Sequence, residues 1–288
     1  MSMEYNGTIV NLKEKEYTEE KKRAKRKTTT KIPVKCRQRN RFIPGFLGGV
    51  VLLSVLSLLY LDIDWLKMLS RVPDIGEVFW ELAHLDFSNM DLILSSMVET
   101  ISIAVLSLLY SLILGILFGM FAARNIFRIP VLSVLVQSFF TFLRAVPTPV
   151  WVLLMLVCLG MGPEAGVAGL CVHTTAFFTK SFAQSFDSIP YETIEALEVT
   201  GTGRLSIFFN AVLPAALSQI VAWAGMRLET NFSECAILGM VGAGGVGYMI
   251  SNSLQGYDYG TAGVAILLVF LVAYCIERMF VHIKKRFY

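Results

Sequence analysis

Several uninterrupted apolar runs, each about as long as a lipid bilayer is thick, constrain this chain more than any other feature. A helix that crosses the hydrocarbon core needs roughly 20 residues, and the first such run covers residues 42–61. Later runs cover residues 93–123, 131–160, 165–182, 214–239 and 261–279. They predict an all-α polytopic membrane protein with about six transmembrane helices. Five is the alternative, because the third run contains a proline-rich break.

Composition supports a membrane protein and argues against a catalytic or metal-binding one. Of the 288 residues, 55% are hydrophobic and only 16% are charged, whereas soluble domains are nearer a quarter charged. The five cysteines form no CxxC or other metal-ligand spacing, so we expect neither a disulfide framework nor a metal site. The sequence contains no phosphate-binding Gly-Lys-Ser/Thr loop and no nucleophile–base pair. We therefore expect no cofactor and no enzymatic activity in this chain.

The distribution of charge predicts which ends of the helices face the cytoplasm. Residues 1–41 are basic, residues 62–92 are rich in Asp and Glu, and residues 284–288 are basic again. Positive charge favours the cytoplasmic side of a membrane, so both termini are predicted to lie inside. Residues 42–92 then form the first transmembrane helix and an external loop, and residues 93–283 form the main transmembrane domain. The basic tail is predicted to be disordered, and binding of nucleic acid or a partner protein is the alternative.

Prolines and glycines mark two places where we expect hinges or gates. Pro147 and Pro149 lie two residues apart, and such a pair breaks a helix. In lipid, the break is tolerated only where protein or a water-filled cavity covers the freed backbone groups. A second cluster lies in the predicted external loop at residues 239–260. Its hinge candidates are Gly242, Gly244, Gly245 and Gly247.

Two glycine patterns have simpler interpretations. The Gly-x-Gly-Gly-x-Gly pattern at residues 242–247 is not expected to bind a nucleotide, because no soluble strand precedes it and no acidic residue follows in a βαβ unit. Gly115 and Gly119 form a Gly-x-x-x-Gly pair, which favours close packing between membrane helices.

The longest polar interruption in the apolar half of the chain covers residues 183–212 and is predicted to lie in the cytoplasm. Pro190 suits the first turn of a helix, and Gly201 permits the left-handed backbone that ends one. Three apolar residues between them share one helical face: Tyr191, Ile194 and Leu197. A second apolar stripe follows before Pro214, so the pattern predicts two short amphipathic helices joined at a glycine corner. They form either an interfacial hairpin on the lipid or a docking element for a partner protein.

This segment resembles the EAA loop of ABC importer permeases. The matching residues are Glu195, Ala196, Gly201, Leu213 and Pro214, and the chain departs from the pattern at Leu197 and Ala211. The resemblance implies that residues 187–213, here called the coupling loop, dock on a separate cytoplasmic ATPase. Its coupling residues are then Tyr191, Ile194, Glu195, Ala196, Leu197, Gly201, Leu213 and Pro214. Tyr191, Ile194 and Leu197 are expected to form the apolar contact face, and Glu195 is expected to anchor the corner by hydrogen bonding.

Residues from about 95 to 283 are most similar to the phosphonate-type (PhnE-like) permeases. The matching pieces begin at Arg144, Leu159, His173, Arg227 and Leu238, and the last is shared with methionine-type permeases. The resemblance implies a type I ABC importer (MetI-like) fold in a bacterial plasma membrane. It also implies a phosphorus oxyanion as substrate: phosphonate, phosphite or phosphate. The implied partners are two ABC ATPase subunits, an extracytoplasmic solute-binding protein and membrane lipid, but no nucleic acid. A homodimer of permeases is expected, with a heterodimer as the alternative.

Polar and charged residues inside apolar runs are costly, so they are usually functional or paired. The candidates for a substrate pathway are Arg144, Arg227, Glu229, Asn231 and Glu234. One hypothesis is that Arg144 or Arg227 offsets the charge of a passing oxyanion; the other is that both belong to structural pairs or reach the interface. Competing functions are a methionine-like importer, an ion-coupled transporter with inverted repeats, and a membrane enzyme, whose converging His, Asp or Cys ligands the chain lacks.

Overall fold

A computed structural model describes residues 39–61, 63–127 and 129–287. The predicted basic tail at 1–41 therefore lies almost wholly outside the described residues. The chain divides into two compact units, one ending at Arg71 and one beginning at Val72. The described part of the first unit contains helix α1 (Arg39–Leu61) and the short helix α2 (Trp65–Ser70). Asp64 caps α2, since its Oδ1 accepts a hydrogen bond from the backbone N of Lys67 at 3.1 Å.

The second unit is a bundle of helices. They are α3 (Val72–Ala83), α4 (Met90–Ala122), α5 (Arg124–Phe127), α6 (Pro130–Ala145), α7 (Thr148–Leu159), α8 (Pro163–Asp187), α9 (Tyr191–Val199), α10 (Arg204–Ile207), α11 (Leu213–Leu238), α12 (Gly245–Gln255) and α13 (Tyr259–Phe287). π-helical turns at Phe208–Val212 and Gly239–Ala243 adjoin the two ends of α11. The predicted basic end at 284–288 falls in the last turn of α13, and residue 288 lies outside the described residues.

By length and hydropathy, four helical segments of the described chain could cross a membrane: Ile43–Leu61, Met90–Ala122, Arg204–Ala243 and Tyr259–His282. Helices α6 and α7 add a fifth if the pair, bent by 86°, counts as one span. The predicted span at 165–182 lies in α8, which has 25 residues and is about 38 Å long. It is not among the candidates by composition, because polar side chains inside the span, above all His173 and Lys180, lower its mean hydropathy.

Helices α4 and α8 form the centre of the bundle, where glycines allow the two backbones to approach closely. A Cβ at Gly115 would overlap the Cβ of Phe178, and a Cβ at Gly119 would lie 3.0 Å from the Cβ of Phe182. The two phenylalanine rings stack with their centroids 4.8 Å apart. Close packing at the Gly-x-x-x-Gly pair is therefore confirmed.

The predicted external loop at 62–92 is largely helical, because α2 and α3 occupy most of it. Helix α3 belongs to the second unit, so the predicted boundary at residue 92 does not separate the compact units. A Cβ at Gly260 of α13 would lie 2.8 Å from the carbonyl oxygen of His84, and one at Gly263 would overlap the carbonyl of Leu82. Glycines in α13 therefore make room for the end of α3 and the residue that follows it, a contact that charge and hydropathy do not reveal.

The predicted loop at 239–260 is also helical. After the second π-helical turn the chain forms α12, whose side chains Val246 and Ile250 are buried. The backbone N of Val246 donates to the Oγ1 of Thr100 at 2.8 Å, which satisfies a donor in the first turn of α12. The glycine-rich composition suggested a loop because glycine weakens a helix interior, but tight packing against α4 and α13 stabilises a helix here.

Candidate functional site

The coupling loop begins with a well-anchored end of α8. The Oδ1 of Asp187 accepts hydrogen bonds from the backbone N atoms of Arg124 (2.8 Å) and Asn125 (3.2 Å). The amide of Asn125 in turn donates to the carbonyl oxygens of Asp187 (3.1 Å) and Ile189 (3.2 Å). These contacts join residues more than 60 positions apart in sequence, so the sequence analysis missed them. They hold the end of α8 and the residues that precede α9 against α5.

Helix α9 follows Pro190, as the sequence predicts, and carries Glu192 in its first turn. It ends before Gly201, whose φ of +80° is the left-handed conformation expected of a helix-ending glycine. Nothing lies within 4 Å of a Cβ built at Gly201. Conformation alone, and not space, therefore demands glycine at this corner.

The apolar face of α9 packs inward at its central residue, Ile194, and docking of Tyr191 and Leu197 on the ATPase stays a prediction. Ile194 is only 3% exposed and lies in a cluster with Ile126, Ile207 and Phe208. Tyr191 and Leu197 are half-buried on the same side. The surface left open to a partner is the opposite face, formed by Glu192, Thr193, Glu195, Ala196 and Val199. An amphipathic stripe shows that one face is buried, but it does not reveal which protein covers it.

The corner after α9 is braced by Glu198 and Arg204. The Nε of Arg204 lies 3.5 Å from the Oε1 of Glu198, and its Nη1 donates to the carbonyl oxygen of Phe127 at 2.6 Å. Glu195 is exposed, and its anchoring role stays a prediction. Opposite charges on the two sides of Gly201 were the available signal for the pair that was missed.

The predicted second helix of the hairpin is not a separate element. Helix α10 continues through the π-helical turn Phe208–Val212 into α11, so residues 204–243 form one 40-residue helical segment. Leu213 and Pro214 begin α11, where proline is accepted because the preceding turn is already irregular. The coupling loop is thus joined directly to a membrane-spanning element.

A buried polar network connects α4, α8 and α11. The Nδ2 of Asn231 donates to the Oγ of Ser107 at 3.1 Å, and its Oδ1 accepts from the Oγ1 of Thr174 at 3.0 Å. The Nε of Arg227 donates to the same Thr174 Oγ1 at 3.2 Å. Residue 174 is near the middle of α8, so the network lies between the end of the bundle that carries α9 and the end that carries the second π-helical turn. Buried polar groups of this kind are stable only when they are satisfied.

Arg227 has further partners that sequence analysis did not identify. Its Nη2 lies 3.0 Å from the Nδ1 of His173, and that nitrogen lies 3.1 Å from the Oγ1 of Thr148 at the proline break. Its guanidinium also faces Glu234, seven residues further along α11. Of the predicted pathway residues, Arg227, Asn231 and Glu234 therefore come together, while Glu229 is exposed and lies outside the network.

The proline break brings a second arginine to the same place. The indole Nε1 of Trp151 donates to the carbonyl oxygen of Leu143 at 3.0 Å and closes the bend between α6 and α7. The guanidinium carbon of Arg144 lies 5.2 Å from the ring centroid of Phe177, and that of Arg227 lies 5.6 Å from it. Arg144 is exposed and has no acidic partner among the described residues. Two cations on one aromatic ring form a positively charged cluster, which we call the arginine pair.

The glycine cluster forms a tight turn at the other end of the bundle. Gly242, Gly244 and Gly245 all have positive φ, between +71° and +108°, which only glycine adopts readily. The backbone N of Gly162 donates to the carbonyl oxygen of Gly242 at 3.2 Å. A Cβ at Gly247 would overlap the backbone carbonyl of Ala236. The turn is therefore closely packed against α8, while its role as a gate or hinge stays a prediction, as does that of Pro147 and Pro149.

Residues 115–287 match the family described as "Binding-protein-dependent transport system inner membrane component". The matched segment covers more than half of the chain and contains the coupling loop, the arginine pair and the glycine turn. The chain belongs to this family. It is a family of ABC importer permeases, which are not catalytic themselves. The resemblance inferred from Glu195, Ala196, Gly201 and Pro214 is confirmed.

Two relatives illustrate the resemblance in sequence. The "Phosphate-import permease protein PhnE" of Mycolicibacterium smegmatis is 30% identical over 251 residues, which cover 86% of this chain and 47% of that protein. The "Phosphite transport system permease protein PtxC" of Stutzerimonas stutzeri is 26% identical over 239 residues, covering 83% of this chain and 86% of that protein. This chain thus spans about half the length of the first relative and most of the second. The similarity to PhnE-like permeases is confirmed.

Solved structures show the fold. A chain of the MetNI methionine ABC transporter in an inward-facing conformation superimposes with a TM-score of 0.62 at 23% identity, covering 70% of this chain and 99% of that chain. A bacterial alginate ABC transporter chain gives a TM-score of 0.58 at 17% identity, covering 87% and 98%. The predicted all-α, MetI-like permease fold is therefore confirmed.

Proposed function

We propose that this permease carries a phosphorus oxyanion, namely phosphonate, phosphite or phosphate, into a bacterial cell. The observation that carries the proposal is the arginine pair on Phe177. Arg144 has no acidic partner in the described chain, so its charge is available to an anion that approaches the bend. Relatives named for phosphate import and phosphite transport support the same substrate class.

The coupling loop docks on a separate ATPase that supplies the energy. The contact surface is the exposed face of α9, which we assign to Glu192, Thr193, Glu195, Ala196 and Val199. ATP-driven movement of α9 reaches the membrane through the brace at Arg204 and the continuous helix that follows it. The inward-facing residues Ile194 and Leu197 attach α9 to the permease itself, so that α9 moves as part of the bundle.

The complete importer contains two copies of this chain, two ATPase subunits and an extracytoplasmic solute-binding protein. One chain offers a single α9, and an ATPase dimer with two docking sites therefore needs a second permease. With α9 in the cytoplasm, both termini of the chain also lie there. The native mass of the purified complex checks the stoichiometry, and a single permease per ATPase dimer would contradict it.

The substrate is tested by uptake in proteoliposomes that contain the whole importer. We expect Arg144→Gln and Arg227→Gln each to lower methylphosphonate uptake by about tenfold, which corresponds to about 1.4 kcal/mol of lost stabilisation of the anion. Expression and complex formation should stay normal for Arg144→Gln, because Arg144 is exposed. Unchanged uptake in both variants would contradict a role for the arginine pair. Competition by methionine and not by methylphosphonate would instead indicate a methionine-type importer.

A further inference from the structure

The guanidinium of Arg227 is held firmly on one side and loosely on the other. On the firm side, Nε bonds to Thr174 and Nη2 bonds to His173, at 3.2 and 3.0 Å. On the other side, Nη1 and Nη2 lie 3.5 and 3.4 Å from the two carboxylate oxygens of Glu234. Charge-assisted hydrogen bonds between such groups are ordinarily about 2.7–2.9 Å. The acid therefore faces the guanidinium in a forked arrangement without making close hydrogen bonds.

Burial differs sharply between the two partners. The side chain of Arg227 is 6% exposed, whereas that of Glu234 is 26% exposed. Glu234 lies seven residues further along α11 and can turn outward without disturbing the helix. Arg227 cannot follow it, because neutral partners on α8 hold the guanidinium in place. A departing Glu234 would thus leave an uncompensated buried cation, which is strongly unfavourable unless another anion replaces it.

We propose that Glu234 is a resident counter-ion, which the transported oxyanion displaces from Arg227. This inference rests on the proposed function, and in it Glu234 regulates anion binding at the same site by competing for Arg227. Two oxygens of a phosphonate or phosphate group match the guanidinium fork as a carboxylate does. Arg144 lies over the same Phe177 ring and supplies a second positive charge. Among the described residues, Glu234 pairs only with Arg227, so the charge of Arg144 is left for the oxyanion. The charge of Arg227 is then balanced by Glu234 before and after transport and by the oxyanion in between. Because Glu234 can return to Arg227, the oxyanion is released readily.

The exchange predicts a specific pattern of thermal stability in the purified importer complex. Glu234→Gln removes the counter-ion, so we expect a lower melting temperature without ligand and a larger increase on adding methylphosphonate than in the wild-type complex. Glu277→Gln is the matched control, because it removes the same charge from an exposed position on α13 and should follow the wild type. In proteoliposomes, Glu234→Gln should lower the KM for methylphosphonate several-fold.

The outcomes separate this inference from the proposed substrate. An increase in melting temperature equal to that of the wild type, with an unchanged KM, would overturn the exchange even if Arg227→Gln abolishes uptake. Stabilisation of Glu234→Gln by sulfate but not by methylphosphonate would support the exchange and refute a phosphorus oxyanion as substrate. If Glu234→Gln does not fold, Glu234→Asp replaces it, because aspartate keeps the charge but has a shorter side chain. The rise in melting temperature on adding methylphosphonate or sulfate is then compared with that of the wild type. Equal responses to ligand in Glu234→Asp and the wild type would then overturn the exchange.

Discussion

At the scale of single residues, close approach between helices depends on positions that lack a side chain. Gly115 faces the Cβ of Phe178 directly, and Gly119 faces Phe182 with a little more space. Because the neighbouring atoms belong to phenylalanines whose rings stack in the bundle centre, they cannot move aside freely. The two glycines therefore differ in how much a methyl group would disturb the α4–α8 contact.

We expect Gly115→Ala to destabilise the protein by about 1–3 kcal/mol, the usual range for overpacking a core. Gly119→Ala should have a smaller effect, because its Cβ would lie 3.0 Å from the nearest atom. Gly48→Ala is the control, since nothing lies within 4 Å of a Cβ there and alanine favours a helix. Thermal unfolding of purified protein in detergent measures all three, and equal melting temperatures for Gly115→Ala and Gly48→Ala would contradict the packing argument.

Sequence analysis identified several candidate site residues but not most of their partners. Gly201 could be predicted because a helix-ending glycine has a local signal, and Arg227 because a cation in an apolar run is unusual. The partners Thr174 and His173 lie on another helix, 53 and 54 residues away. Ser and Thr in a membrane helix are common and carry no signal of which residue they bind. The network therefore becomes visible only when the helices are packed.

At the scale of elements, the corner between α9 and α10 depends on one backbone conformation. Gly201 has a φ of +80°, whereas the exposed Gly203 has a φ of −67°. Neither has an atom within 4 Å of a Cβ built on it. The two glycines thus differ in backbone angle and not in crowding, which makes them a matched pair.

We expect Gly201→Ala to strain the corner by roughly 1–2 kcal/mol, the penalty for a left-handed residue with a side chain. Methylphosphonate uptake should fall and ATP hydrolysis should become less dependent on substrate, because α9 would be misplaced on its partner. Gly203→Ala should behave as the wild type in both assays. Equal uptake by the two variants would show that the geometry of this corner does not matter for coupling.

Elements with a local amphipathic signal, such as α9, were predicted well, but continuity between elements was not. The helix across residues 204–243 was predicted as a short helix followed by a new span, because Pro214 is a typical helix start. The π-helical turn before it accommodates the proline and lets the helix continue. Likewise, the glycines near residue 242 suggested a loop, while their actual effect is to let α12 pack against α11 after a sharp turn.

At the scale of the whole molecule, the bundle has two ends that are expected to face different compartments. The end with α9 carries Val199, which is 84% exposed, and the end with the glycine turn carries Met161, which is 87% exposed. Helix α8 separates the two ends. The fold class was predicted from the apolar runs alone. The alternative of five spans agrees with the upper count by length and composition in the described chain, and the remaining predicted span lies in α8, which is largely buried within the bundle.

Orientation can be measured with single cysteines. In the permease expressed without its ATPase, which is proposed to cover Val199, we expect Val199→Cys to react with a membrane-impermeant maleimide only in inside-out vesicles, and Met161→Cys only in intact spheroplasts. The five native cysteines are replaced by serine beforehand, and detergent-solubilised protein should be labelled at both positions. Labelling of Val199→Cys from outside would reverse the orientation and would exclude docking of α9 on a cytoplasmic ATPase.

The continuous helix from Arg204 to the glycine turn has a consequence for leakage. Its α-helical centre, α11, has 26 residues and is about 39 Å long, longer than the hydrocarbon core is thick. With a π-helical turn at each end of α11, the segment contacts the coupling corner at its start and leads at its far end into the turn that lies beside Glu99. If α11 moves as a unit, as the proposed coupling requires, we expect a shift at one end of the bundle to displace residues at the other. Under the proposed function, such a link would disfavour simultaneous opening of both ends and so limit the leakage of ions.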